Sequence, residues 1–454
     1  MPLRASLATS DISTSGPYDK VEWSSYTTKL PKEGLPMLVK TLLNSVEKHK
    51  GFVNECIKLV LVGTQKQLHV KIRPVKGCKG VCSICLLPGP TYDTLDQRKF
   101  QFVPLWGIVV FFLYAMRRIS CATCKAVVVE RVPWASGKER VTTSFAWFLA
   151  SWAKRMSWKQ VAVTFGVSWD TVYAAVKMAV AYGLEHRSLE GVTEIGVDEV
   201  MWRAGKRMYL TVVYQINEGC RRLLWIGKDR KKKTLAAFFK WFGRGPTSGL
   251  QAIASDMWEP FLRVIADRVP WALHVLDRFH ITANVNKAVD KVRAEEARAL
   301  ARKGTPTLKH TRWLLLKSPE NLKKEQRLSL KNLLKINLKT VRAYLLKEEL
   351  RKLWGHFSIT LASSFLFDWC RAAKASRIEP LAKVARTLEK KHDLVLNWFR
   401  ASAAISSGAV EGLNNKLKVI VRRSYGFRSY DVTTNALYHG MGQLPEPVFR
   451  HRFC

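Results

Sequence analysis

Three acidic residues stand out in a chain that is poor in acids. The sequence has 36 Asp and Glu against 75 Lys and Arg, a formal net charge of +39. Asp198 lies in the predicted strand EIGVDEV, Asp256 ends the predicted strand LQAIASD, and Glu411 lies on a predicted helix in SSGAVEGLNNKLK. If the strand ending at Asp256 lies beside that of Asp198, the two carboxylates are neighbours, and the later helix can bring Glu411 over them.

Carboxylates that converge in a basic groove indicate divalent cations. Without a cation between them they would repel one another, and their pKa values would rise. Oxygen ligands with open coordination positions favour Mg2+ or Mn2+, and two such ions act on the attacking and leaving oxygens in phosphodiester displacement. Each acid taken singly is better explained as a capping or surface residue. Their joint placement favours an active site with two ions.

Two cysteine pairs predict a zinc site. Cys82 and Cys85 form one Cys-x2-Cys pair, and Cys121 and Cys124 form the other. When each pair lies in a turn between strands, the four thiolates can surround Zn2+ tetrahedrally, and a long hairpin would fill the gap between the pairs. Two pairs of ordinary core residues are the alternative, and Cys78 is a spare candidate ligand. Four thiolates leave no open position, so this zinc would be structural or would lie near DNA.

One segment is typical of a helix-turn-helix. Residues 158–165 predict the first helix, Gly166 supplies a turn with positive φ, and Ser168 caps a second helix that begins at Trp169. The residues expected to pack between the helices are Val161, Ala162, Val167, Val172 and Ala175. Those expected to face a DNA major groove or a phosphate strand are Trp169, Asp170, Thr171 and Tyr173. Plain helical bundles show the same pattern, and the net charge favours DNA.

The elements that must position these side chains follow in a recognisable order. After residue 194 the sequence predicts β-β-β-α-β-α-β, from EIGVDEV through RMYLTVVYQI, RRLLWIGK, TLAAFFKWF, LQAIASD and EPFLRVIADRV to ALHVLDRFH. This order describes a mixed sheet with helices, an α/β core. Residues 59–124 have a strand-like pattern, whereas residues 142–186 have helical period. Residues 282–400 are helical and rich in lysine, and residues 409–422 form another helix.

Composition narrows the class of protein. A hydrophobic share of 47% with 16 Trp and 20 Phe is ample for folded cores and excludes a disordered basic tail. The charge suits a polyanion, because neutralised phosphates release counterions, and does not suit an enzyme of small neutral metabolites. A generic solvated surface is the alternative. Nine cysteines, an odd number, argue against a disulfide framework.

Neither a membrane span nor an export signal is predicted. The longest apolar run, residues 102–116, contains Pro104 and Gly107 and is shorter than the ~20 residues of a spanning helix. Its aromatic and β-branched residues suit buried strands. The N-terminus has no apolar core of the signal-peptide type. We expect a cytoplasmic, nucleoid-associated protein.

At this point the chain resembles the DDE transposases of bacterial insertion sequences, specifically the ISL-three group with its N-terminal zinc ribbon. The matching segments, in the family's order, are IGVDEVMWRAGKRMYLTVVYQI, AIASDMWEPFLRVIADRVPWALHVLDRFHITANVNKAVDKVR, RWLLLKSPENLKKEQ and SSGAVEGLNNKLKVIVRRSYGFRSY. The resemblance places the family's catalytic triad on Asp198, Asp256 and Glu411. It also makes Asp277 and His280 similar to a D-x-x-H signature with a positioning role.

The resemblance implies a multidomain α/β protein with an RNase H-like catalytic core and a helical insertion, preceded by a zinc ribbon and a helix-turn-helix. The expected units are a flexible tail (1–30), a β-rich zinc-ribbon domain (31–135), a helix-turn-helix domain (136–190), the first part of the core (191–281), a basic helical insertion (282–400) and the C-terminal part of the core (401–454). The Cys82 knuckle lacks the family's usual Pro and Gly.

The implied function is that of a DNA transposase. It would bind the inverted-repeat ends of an insertion sequence, cut them with two Mg2+ or Mn2+ ions, and join the 3′ ends to target DNA. Arg422, Arg423 and Arg428 would hold backbone phosphates, and a homodimer or larger synaptic complex would bring the two ends together. One alternative is a DNA-binding regulator that has lost catalysis, against which the three acids argue. Another is a structure-selective nuclease of the same fold.

Overall fold

A computed structural model describes residues 39–46, 48–203, 208–401, 407–424, 427 and 429–447. Within these ranges the protein is a mixed α/β structure with two five-stranded sheets, a small two-stranded sheet and sixteen α-helices. The predicted tail at 1–30 lies outside the described residues, as does Arg428.

The N-terminal sheet contains the longest strands. The elements of this region are α1 (Val39–Val46), β1 (Phe52–Val62), β2 (Gln65–Pro74), β3 (Gly80–Val81), β4 (Pro88–Gly89), β5 (Thr91–Leu105), β6 (Ile108–Cys121) and β7 (Ala126–Val129). The strands are ordered β1-β2-β6-β5, and β7 pairs with β6. The apolar run at 102–116 lies in β5 and β6, where Phe102 and Phe112 stack at 4.6 Å. The prediction of buried strands is confirmed there.

Three helices follow: α2 (Thr143–Arg155), α3 (Trp158–Phe165) and α4 (Trp169–His186). The Ser157 side chain caps α3, and the Ser168 side chain caps α4 by accepting a hydrogen bond from the Thr171 N–H. Between the helices Gly166 has φ 63°, which an L side chain rarely adopts. The predicted bounds of the first helix, the turn at Gly166, and the cap and first residue of the second helix are confirmed.

The central sheet carries the predicted element order. Its elements are β8 (Glu194–Arg203), β9 (Met208–Gln215), β10 (Arg222–Lys228), α5 (Lys232–Phe242), a short α6 (Arg244–Ser248), β11 (Ala252–Ser255), α7 (Glu259–Arg268) and β12 (Leu273–Leu276). The strands are ordered β10-β9-β8-β11-β12. Strand β9 is antiparallel to both β10 and β8, whereas β11 is parallel to both β8 and β12. The fourth strand therefore lies beside the first, which is the condition for the two aspartates to be neighbours. Only α6 was not predicted.

The rest of the described chain is helical. Its α-helices are α8 (Arg278–Arg302), α9 (Arg312–Leu316), α10 (Lys324–Leu334), α11 (Lys339–Arg351), α12 (Ile359–Ala375), α13 (Glu379–Lys390), α14 (His392–Arg400), α15 (Ser407–Arg423) and α16 (Tyr430–Met441). Helix α8 shares one core with α11 to α14, whereas α15 and α16 pack on the central sheet. Across the described ranges, no helix combines the length and the apolar character needed to cross a membrane.

Candidate functional site

The neighbouring inner strands β8 and β11 of the central sheet bring two of the three predicted acids together. In the parallel register Val197 of β8 lies opposite Ser255 of β11, so the next residues along each strand, Asp198 and Asp256, are neighbours. Both line a small cavity together with Asp277 and His280. We call this space the acidic cavity. Its position is the one that the strand pattern predicted for the two aspartates.

Helix α15 covers the acidic cavity because β8 carries a glycine beneath it. A Cβ at Gly196 would overlap the side chain of Val410, so the close approach of the helix requires glycine at this position. One turn further along α15, the Asn414 amide donates a hydrogen bond to Oδ2 of Asp198. The Asn414 Oδ1 in turn accepts a hydrogen bond of 2.9 Å from the buried Tyr214 hydroxyl. This chain fixes the orientation of Asp198.

The surroundings of the two aspartates raise their pKa values. Asp198 is only 9% exposed, and burial raises its pKa, an effect that the nearby Asp256 carboxylate reinforces. Burial also raises the pKa of Asp256. Backbone N–H groups and His280 oppose both shifts without cancelling them. A buried and a half-buried carboxylate whose anionic forms are disfavoured make a donor set that a divalent cation would stabilise.

The DRFH segment contributes Asp277 and His280. Asp277 is 8% exposed and caps α8, accepting a hydrogen bond of 2.7 Å from the Phe279 N–H. His280 lies one turn later on the helix, with Nε2 3.8 Å from Oδ2 of Asp277. Both side chains line the acidic cavity, so the structure brings this segment to the two aspartates.

Glu411 is placed differently from the two aspartates. It lies in the first turns of α15, its side chain is exposed, and the helix residues that face the sheet beside it are Val410 and Asn414. Among the described residues, the three carboxylates do not form a cluster with oxygens within 4.8 Å of one another. The structure therefore brings together two of the three, and the third ligand stays a prediction.

Two residues beside the acidic cavity were missed from the sequence. Burial, reinforced by Asp256, raises the pKa of Glu199 to about 7. One of its oxygens lies 3.4 Å from the Arg230 guanidinium, and the other is buried without a hydrogen-bond partner among the described residues. Arg230 is held 4.2 Å from the Tyr209 ring and 5.2 Å from the Trp258 ring. Arg230 was missed because it follows β10, far in sequence from the other residues of the site.

A buried histidine under the site makes the stability depend on pH. Burial lowers the pKa of His274 to about 4, and its Nε2 lies 2.7 Å from the Ser255 hydroxyl. The unfolded chain binds this proton from about pH 6.5 downward, so stability is full above that pH and falls as pH drops toward 4, by up to about 1.4 kcal/mol per pH unit. We expect the urea midpoint of unfolding to depend less steeply on pH over this range in His274→Gln than in the parent protein. The exposed His310→Gln is the control, and an unchanged slope in His274→Gln would contradict the prediction.

The four predicted cysteines form a cluster. Their sulfurs lie within 4.8 Å of one another, and Cys82 Sγ is 3.9 Å from Cys124 Sγ while Cys85 Sγ is 3.4 Å from Cys121 Sγ. One pair lies in the turn between β3 and β4, the other in the turn between β6 and β7, with the long β5–β6 hairpin between them, as predicted. Cys78 stays outside, and its thiol is 3.7 Å from the Lys79 carbonyl.

The electrostatics of the cysteine cluster suit a bound metal cation. Backbone N–H groups of Cys85 and Ile84 lower the pKa of Cys82 to about 6. The neighbouring thiol of Cys85 and burial raise the pKa of Cys124 to about 12. The thiolate form is therefore favoured at Cys82 and disfavoured at Cys124. Four anionic sulfurs at this spacing would repel one another, and a bound metal ion would neutralise that charge.

The predicted DNA-binding residues of α4 are only partly exposed to solvent. On α4 the exposed residues include Trp169, whereas Thr171 and Tyr173 are half-buried. Tyr173 stacks on Trp158 and Trp169 at 5.7 and 5.6 Å. The exposed positions one and two turns along the same helix, Ala174 and Lys177, were not singled out from the sequence.

The predicted phosphate-binding arginines lie at the end of α15. Arg422 and Arg423 are exposed in its last turn, and Arg423 donates a hydrogen bond to the Arg155 carbonyl. Helices α15 and α16 share a core with α2, α3 and α4, so the helix-turn-helix is packed against the C-terminal helices.

Comparison with known proteins places this site in a family. The sequence model of the ISL-three group of DDE transposases, described as a transposase, matches residues 195–436, from β8 to α16. The chain belongs to this family. The matched region contains all three predicted acids, the DRFH segment and Asn414.

Named relatives of this transposase family match over most of the chain. A transposase for the insertion sequence element IS1001 of Bordetella parapertussis is 30% identical over 337 residues, which is 74% of this chain and 82% of the relative. A transposase for IS1557 of Mycobacterium tuberculosis is 29% identical over 396 residues, 81% of this chain and 87% of the relative. Both relatives are named as transposases, which does not favour a regulator without catalysis.

Proposed function

We propose that this family member binds the inverted-repeat ends of an insertion sequence, cleaves the DNA in a divalent-metal-dependent reaction, and transfers the freed ends to target DNA. The observation that carries the proposal is the pair Asp198 and Asp256, which lie side by side in the acidic cavity, Asp198 buried and Asp256 half-buried, with raised pKa values. The strand order β10-β9-β8-β11-β12 supports an RNase H-like core, with the carboxylates on its central strands.

The proposed metal ligands are Asp198, Asp256 and Glu411. Glu411 precedes Asn414 by three residues, so it lies near the helix face that meets Asp198. When bound, two Mg2+ or Mn2+ ions would activate the attacking oxygen and stabilise the leaving 3′ oxygen. Asn414 would hold Asp198 in one orientation, and Asp277 would position His280 next to both aspartates. Arg230 is close enough to Asp256 to influence its pKa, and it would attract a backbone phosphate to the acidic cavity.

We propose that Cys82, Cys85, Cys121 and Cys124 hold one structural Zn2+. The sulfur spacing and the turns between strands support a zinc ribbon, proposed to extend over residues 31–135. The ribbon and the helix-turn-helix at 136–190 would recognise the DNA ends, and the basic insertion at 282–400 would contact DNA between the two parts of the core. A homodimer or larger complex would hold two ends for paired cleavage.

The test is cleavage of a labelled duplex that carries the repeat flanking the gene for this chain. We expect nicks at the repeat boundary in Mg2+, none in EDTA, and joining of the 3′ end to a second duplex. A structure-selective nuclease would cut branched DNA without joining it. Binding to the repeat without any nick in Mg2+ or Mn2+ would reject the proposed catalysis.

The salt dependence of DNA binding tests the exposed face of α4. If Lys177 contacts a phosphate, Lys177→Gln should reduce the slope of log K against log salt by about 0.9, because one fewer counterion is released. The measurement is fluorescence anisotropy with a labelled duplex at several salt concentrations. Lys240→Gln, on the exposed side of α5, is the matched control. Equal slopes for the two variants would remove Lys177 from the interface.

A further inference from the structure

A second cavity lies between the helix-turn-helix and the C-terminal helices. It has a volume of about 760 Å³, within the ~300–1,000 Å³ range of ligand sites, and is open to solvent. Residues of α3 and of the first turn of α4 line one side, and residues of α15 and α16 line the other. We call it the aromatic cavity.

Flat rings form much of its wall. Trp158, Trp169 and Phe427 all line the cavity, and the Trp158 ring lies 5.5 Å from both of the other two. Trp169 is 40% exposed, although large aromatic side chains are more often covered. Such a wall offers a stacking surface to a planar ring, and every nucleobase presents a π-face.

The charged residues around the cavity are basic. Lys154, Lys159 and Arg423 line it, and no carboxylate is among the described lining residues. Lys154 is paired with Glu446, whereas Lys159 is exposed. The combination of stacking surface and positive charge is the one that single-stranded nucleic acid sites use.

A buried polar group in the wall lacks a partner. His439 lines the cavity, is 9% exposed, and its Nε2 makes no hydrogen bond to any described residue. Burial lowers the pKa of His439 to about 3, so its ring is neutral near pH 7. His439 therefore adds no charge to the wall, and because its Nε2 is itself covered, contact with a base rests on the rings and basic groups that line the cavity.

We propose that the aromatic cavity binds one unpaired DNA base, stacked on Trp169 and Phe427, with its flanking phosphates on Lys159 and Arg423. This inference rests on the proposed function, since it assumes a DNA substrate. Helix α15 connects the two sites, because Asn414 meets Asp198 and Arg423 lines the aromatic cavity. The rise between these residues is about 14 Å.

The probe is a synthetic 30-base-pair duplex with one extrahelical 2-aminopurine. It is compared with the fully paired duplex and with a duplex carrying an abasic bulge at the same place. We expect the extrahelical base to bind about 5- to 100-fold tighter than either, the range that stacking of one base supplies. Stacking on tryptophan should also quench the 2-aminopurine fluorescence.

Variants assign the effect to the cavity. Trp169→Ala should remove most of the preference and the quenching, whereas Trp169→Phe, which keeps a flat ring, should retain most of both. Phe427→Ala is a second test in case one variant folds poorly, as judged by thermal melting. Trp271→Ala is the matched control, since Trp271 is 57% exposed and does not line the cavity.

Two results would overturn the inference. One is equal affinity for the abasic bulge, which would mean that bending rather than a base is recognised. The other is an unchanged preference in folded Trp169→Ala and Phe427→Ala. Cleavage of repeat DNA in Mg2+ is measured in parallel. Cleavage without base preference would reject only the aromatic cavity, and base preference without cleavage would reject only the proposed catalysis.

Discussion

Asp198→Asn and Asp256→Asn are each expected to slow Mg2+-dependent cleavage of repeat DNA by about 10³-fold or more. Each change keeps the shape of the side chain and removes one proposed anionic ligand from a neighbouring pair whose burial disfavours negative charge. The measurement is single-turnover cleavage of a labelled end, with EDTA as the blank. DNA binding should persist or tighten slightly, because negative charge leaves a surface that receives phosphates.

If Asp198 and Asp256 bind the same ions, the effects of their substitutions should not add. The double variant should be hardly slower than either single one, since a site that has lost one ligand has already lost most of its function. Asp267→Asn is the matched control, because Asp267 is exposed on α7 and does not line the acidic cavity. A rate within about tenfold of the parent in Asp198→Asn or Asp256→Asn would reject the assignment of both acids.

Glu411→Gln decides the third ligand separately. Glu411 is exposed on α15, so the loss of cleavage in this variant would indicate that the carboxylate reaches the acidic cavity once metal and DNA are bound. Asn414→Ala should have a smaller effect, since it removes a hydrogen bond that orients Asp198 and leaves every proposed ligand in place. Full cleavage by Glu411→Gln would make another acid of the C-terminal region the third ligand.

The sequence predicted best what depends on local pattern. The strands of Asp198 and Asp256 are each recognisable as short apolar runs within an α/β order, and Gly166 and Ser168 mark the helix-turn-helix. Each of these signals is contained within a few residues, so neighbouring positions along the chain are sufficient to recognise it.

What could not be predicted depends on contacts between distant segments. The hydrogen-bond chain from Tyr214 through Asn414 to Asp198 joins residues about 200 positions apart, and only the packing of α15 on the sheet creates it. In the same way, α16 packs on α4 and partly covers Tyr173, which periodicity alone placed on a DNA-facing surface. Hydrophobic periodicity shows which helix faces are apolar, but it does not show which distant helix packs on each face.

Removal of the proposed zinc should strongly destabilise the N-terminal region of the protein. We expect about one Zn2+ per chain by elemental analysis of protein purified without chelator, and little in Cys85→Ser. Structural zinc contributes about 10–16 kcal/mol in small zinc-binding peptides, a free energy larger than the whole stability of many domains. Loss of the ion should therefore unfold the region around the cysteine cluster, with weaker binding to repeat DNA as the consequence.

The cysteine variants should also separate ligands from bystanders. Cys78→Ser should retain zinc, because the Cys78 sulfur lies outside the four-sulfur cluster, and Cys220→Ser is the control for a cysteine far from it. The central sheet has its own core, distinct from that of the N-terminal sheet. Limited proteolysis of Cys85→Ser should therefore remove the N-terminal region and leave a resistant fragment that contains the acidic cavity. A protein without metal, folded and protease-resistant throughout, would show that the four thiols pack as an ordinary core and that no zinc ribbon exists in this chain.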